Sequence, residues 1–88
     1  MRKISIYPGG GIGIINRFYI VYDGPHKENH RKDYNTIEEL VEKMPTDLNL
    51  NLKKPLEVQF GNYSPEEREK IKTLIGSRFK KVSYSSLH

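Results

Sequence analysis

The segment from Leu56 to Tyr84 does most to limit the folds open to this chain, because it reads as strand, helix, strand. Leu56, Val58 and Phe60 alternate with Glu57 and Gln59, the period of a half-buried strand. Ser64 then offers an N-cap, Pro65 suits the first helical position, and Glu67 completes a capping box. Ile71, Leu74 and Ile75 form the buried stripe of that helix, and Gly76 ends it. A last strand runs from about Phe79 to Tyr84, with Val82 and Tyr84 on one face. A strand–helix–strand connection normally crosses over to a parallel strand in the same sheet. The segment therefore requires a sheet with a helix packed on it.

The preceding residues extend that sheet. Lys3 to Tyr7 alternates, with Ile4 and Ile6 on one face. Ile14 to Tyr22 is rich in β-branched and aromatic residues, and its second half predicts a strand. Asp23-Gly24-Pro25 breaks it. His26 to Asp33 has no hydrophobic residue and is expected to be an exposed loop. Thr36 and Glu39 form another capping box, and Ile37, Leu40, Val41 and Met44 fall on one helical stripe. Pro45 is expected to stop that helix. Leu48, Leu50 and Leu52 alternate with polar residues, which suggests an extended segment or a short edge strand. The order is β-β-α-β-α-β in one domain, residues 1–88. The expected fold is an α+β two-layer sandwich: a mixed sheet with two helices on one face.

A chain of 88 residues buries a thin core, and with no cysteine it has neither disulfides nor thiolate metal sites. That composition fits a cytoplasmic location. Met1 to Pro8 lacks the apolar run of a signal peptide, and no segment has the length of a membrane span, so no membrane role is expected. Small domains without staples often gain stability by association, which makes a homodimer one expectation. The net charge of +4 favours polyanions. The basic excess sits in residues 1–34 and 56–88 and not in the middle.

Four of the seven glycines, Gly9, Gly10, Gly11 and Gly13, fall between the first two strands. Glycine clusters serve turns with positive φ or close approach to the backbone. The cluster is not a P-loop or a dinucleotide fingerprint, because Ile14-Ile15 follows where a helix is required. A Gly-rich hairpin can still present N–H groups to an anion.

If Phe18, Ile20 and Tyr22 face the helices with Ile4 and Ile6, the opposite face shows Lys3, Ser5, Tyr7, Arg17 and Tyr19. Rings interleaved with cations suit single-stranded nucleic acid. The competing readings are a plain solvated face and a dimer interface, since Ile15 and Val21 share that side. His26 and His30 have a His-x3-His spacing, but the segment lacks helical periodicity and further ligands, so no metal is expected. Either histidine beside Lys27, Arg31 or Lys32 can be drawn as the acid–base of a metal-independent ribonuclease. The same three cations can hold phosphate without catalysis. Arg78, Lys80 and Lys81 form another basic cluster.

The resulting expectation is a non-enzymatic module, with no cofactor, that binds nucleic acid or a nucleotide. Its candidate ligand-binding residues are Gly9, Gly10, Gly11, Gly13, Lys3, Tyr7, Arg17, Tyr19, Lys27, Arg31 and Lys32. The alternative is a protein-interaction or inhibitor module of phage or plasmid type, acting as a homodimer. The ribonuclease is the third reading.

Overall fold

The computed structural model describes residues 2–10, 18–24 and 30–86. Its elements are β1 (Arg2–Gly9), β2 (Phe18–Asp23), β3 (Arg31–Tyr34), α1 (Ile37–Asp47), β4 (Leu56–Phe60), α2 (Pro65–Gly76) and β5 (Val82–Ser86). The five strands form one mixed sheet in the order β3-β2-β1-β4-β5. β1 pairs antiparallel with β2 and parallel with β4, β2 pairs antiparallel with β3, and β4 pairs parallel with β5. This is the expected α+β sandwich with one strand more than the sequence predicted.

The core is a single cluster between the sheet and the two helices. Ile4, Ile6, Val21 and Val58 supply the sheet side, and Leu40, Met44, Ile71 and Ile75 supply the helix side; all eight are almost fully buried. Both helices start as their caps predict. Thr36 Oγ1 accepts from the Glu39 N–H (3.0 Å) and Ser64 Oγ from the Glu67 N–H (3.3 Å). Among the described residues no helix is long and apolar enough to cross a membrane.

Several local expectations need correction. Arg31–Tyr34 is an edge strand and not a loop. Its first three residues are exposed, so its sequence carries no alternation, and only Tyr34 (3 % exposed) anchors it in the core. Pro45 does not stop α1, which runs on to Asp47. A proline leaves the carbonyl four residues earlier without its helical donor. That carbonyl, on Val41, accepts from Arg78 Nη1 (3.0 Å), as does the carbonyl of Glu42 (3.0 Å). Arg78 is thus committed to α1 and not to a basic cluster with Lys80 and Lys81. Leu48 to Leu52 is a series of turns, with Asn49 at φ 54. The last strand begins at Val82, and Phe79 packs into the core ahead of it.

The last correction concerns the side on which β2 presents its residues. Ile6 pairs with Val21 and Ile4 with Asp23, so Tyr19 and Val21 lie on the helix side. Phe18, Ile20 and Tyr22 lie on the opposite side, the reverse of the expected assignment. The run Phe18 to Tyr22 is apolar on both faces, so its own pattern gives no parity. Register against β1 decides it.

Candidate binding face of the sheet

Among the described residues neither helix lies over the second face of the sheet. β1 contributes Lys3, Ser5, Tyr7 and Gly9 to it, and β2 contributes Phe18, Ile20 and Tyr22. Arg31 and Asp33 extend the face on β3, Glu57 and Gln59 on β4, and Ser83 and Ser85 on β5.

Its middle is aromatic. The Tyr7 and Tyr22 rings meet edge to face with centroids 5.5 Å apart. Phe18 lies against Gly9, its partner across the β1–β2 ladder, so closely that a Cβ on Gly9 would overlap the ring. Tyr7 lies in the same way against Gly61, where an added Cβ would sit 3.0 Å from Cε1 and closer still to the ring's near edge. Both rings therefore recline on backbone that only glycine leaves open. This gives Gly9 a packing role. Gly10 has φ 103, a turn conformation that favours glycine. Gly11 and Gly13 lie outside the described residues.

Below the rings the face is tightly paved. Ser5 is 1 % exposed; its hydroxyl donates to the Gly24 carbonyl (3.1 Å) and lies 3.4 Å from Gln59 Oε1. Burial, and to a lesser degree the neighbouring Tyr22, push the Tyr7 hydroxyl above its ordinary ionisation range.

The cations on this face are paired. Lys3 Nζ lies 3.3 Å from Glu57 Oε2. Arg31 donates from Nε and Nη2 to the two oxygens of Asp33 (2.8 and 3.1 Å). The Asp33 bonds, followed by the nearby Tyr22 hydroxyl, raise the pKa of Arg31, so it stays charged at any accessible pH.

Lys3, Tyr7, Gly9 and Arg31 thus stand on the predicted face. Tyr19 does not: it packs on the helix side with its ring stacked on Tyr63 at 6.2 Å. Lys32 also falls on the helix side of the edge strand and is exposed. Arg17, His26 and Lys27 lie outside the described residues. His30 is exposed just before β3, where its carbonyl accepts from the Asp23 N–H (3.0 Å). No group of three metal-ligating side chains occurs among the described residues. Sequence reasoning missed Phe18, Ile20 and Tyr22 as face residues; the signal that finds them is the pairing of Ile6 with Val21. No protein family, curated protein or solved structure matches the chain.

Proposed function

We propose that this protein is a non-enzymatic binding module that takes single-stranded nucleic acid on the face of its sheet opposite the two helices. The observation that carries the reading is the edge-to-face pair of Tyr7 and Tyr22 on that face, with Phe18 further along β2 on the same side. Splayed bases stack on such rings, each worth about 1–3 kcal/mol. The net charge of +4 draws the polyanion in, and Lys3 and Arg31 lie where a backbone passing the rings would meet them. Gln59 and Ser83 add hydrogen-bonding groups on the neighbouring strands β4 and β5.

The test is fluorescence anisotropy with labelled single-stranded RNA, single-stranded DNA and duplex DNA. Single strands are expected to bind more tightly than duplex. Tyr22→Ala is expected to weaken binding about ten-fold, one stacked base being worth roughly 1–3 kcal/mol. No binding to any probe, or binding unchanged in Tyr7→Ala and Tyr22→Ala together, defeats the reading.

The pairing of Lys3 with Glu57 and Arg31 with Asp33 favours a second reading. A face that is aromatic at its centre and charge-neutral at its rim also suits a protein partner or a second copy of the chain. That reading expects a stoichiometric complex, or a dimer in sedimentation analysis, disrupted by Ile20→Lys.

A further inference from the structure

At the end of the sheet where β1 and β4 begin, a cavity of about 450 Å³ opens beside the turns of residues 48–55. That volume falls within the range of small-molecule sites. Its floor is apolar, made by Leu50, Pro55, Leu56 and Phe79. Its polar lining is Arg2, Asn49, Asn51 and Lys54, with no carboxylate.

The walls are held in place. Arg2 Nε and Nη2 bond both oxygens of Asp23 (3.0 and 2.8 Å), and Nη2 also donates to the Leu48 carbonyl (2.8 Å). Nη1 has no partner among the described residues. Asn51 Oδ1 accepts from the Lys53 N–H (2.9 Å), the Leu50 N–H donates to the Pro45 carbonyl (2.7 Å), and the Lys54 N–H donates to the Asn51 carbonyl (3.1 Å). The Lys80 N–H donates to the Leu52 carbonyl and the Leu56 N–H to the Lys81 carbonyl, so the chain at 80–81 runs beside this rim.

Lys53, Lys54, Lys80 and Lys81 are all exposed, and none has an acidic partner among the described residues. Positive charge without a partner therefore gathers at this end, whereas the cations on the sheet face are neutralised. An apolar slot, two carboxamides able to donate and accept, and a rim of free lysines match a flat heteroaromatic body carrying phosphate. We infer that this cavity is a nucleotide site, separate from the sheet face. The apolar floor takes the base, Asn49 and Asn51 meet its edge, and Lys54 and the neighbouring lysines hold the phosphates, while Arg2, engaged by Asp23, walls the site. The inference stands independently of the proposed function.

The test is an amide NMR titration of the whole protein with ADP, adenosine and pyrophosphate in parallel. ADP is expected to give saturable shifts centred on Asn49 to Leu56. It should bind at least about ten-fold more tightly than adenosine or pyrophosphate, because each of these has only half of the recognised chemistry. Lys54→Ala, at an exposed position, should weaken ADP about ten-fold, since a hydrogen bond to a charged group is worth roughly 1.5–3 kcal/mol. Tyr22→Ala should leave ADP binding unchanged, which separates this site from the sheet face. Absence of saturation, shifts confined to Tyr7 and Tyr22, or pyrophosphate binding as tightly as ADP would each overturn the inference.

Discussion

Arg78 and Pro45 show how one side chain makes another residue tolerable. Pro45 brings a buried ring to α1 but withholds the N–H that Val41 needs, and Arg78 reaches across from the end of α2 to supply a donor. Arg78→Ala is expected to cost about 1–2 kcal/mol, the scale of a charge-assisted hydrogen bond that is partly exposed. In a Pro45→Ala background the helix recovers its own donor, so the same substitution should cost less. A urea-unfolding double-mutant cycle reads the difference, and strict additivity would contradict the coupling. Tyr34 makes a second residue-level prediction. Its hydroxyl donates to Asp47 Oδ2 (2.7 Å), and burial first, then that bond, push its ionisation well above the ordinary 10.0. The folded state keeps this proton after the unfolded chain has lost it. The contribution to stability is full below pH 10 and drains away as pH rises through the folded value. The urea midpoint should therefore fall above pH 10, and fall less steeply in Tyr34→Phe. Equal slopes would remove Tyr34 from the account.

The elements were legible where local chemistry fixes them. Both helices announce themselves through Thr36–Glu39 and Ser64–Glu67, because a cap is a contact between near neighbours. β4 shows a clean alternation, since one side of it is buried and the other polar. β3 and the parity of β2 were not legible, for opposite reasons. Arg31 to Asp33 are polar on both sides of an edge strand, whereas Phe18 to Tyr22 are apolar on both sides of an inner one. Neither run encodes a face, so pairing across the ladder has to choose it. The candidate face suffered most from this. Its β1 half, with Lys3 and Tyr7, is legible in the alternation, but its β2 half is not, because the expected parity is the reverse of the observed one. Two substitutions test the corrected parity. Val21→Lys puts a charge into a fully buried position and should cost about 3 kcal/mol or more. Ile20→Lys, one residue away on the second face and only partly buried, should cost under about 1.5 kcal/mol. Reversed costs in thermal or urea unfolding would place Ile20, not Val21, on the helix side.

At the scale of the whole molecule, charge is distributed in a way that the total of +4 conceals. The molecule is 37 Å long and 26 Å across, and two groups of its cations differ in how they are partnered. On the sheet face Lys3 and Arg31 are engaged by Glu57 and Asp33. Beside the turns at the start of β1 and β4, Lys53, Lys54, Lys80 and Lys81 have no such partners among the described residues. A single strand lying over Tyr7, Phe18 and Tyr22 would thus meet two cations that already hold carboxylates. Each phosphate neutralised on a single strand contributes about −0.7 to the slope of log K against log salt. Two such contacts give an expected slope of about −1 to −2, shallow for a basic protein, with stacking supplying most of the affinity. Anisotropy titrations across a salt series measure it directly. A slope steeper than about −3 requires more cations than the face offers. The strand would then have to run along the lysine-rich end, and stacking on the aromatic cluster would cease to be the main source of affinity.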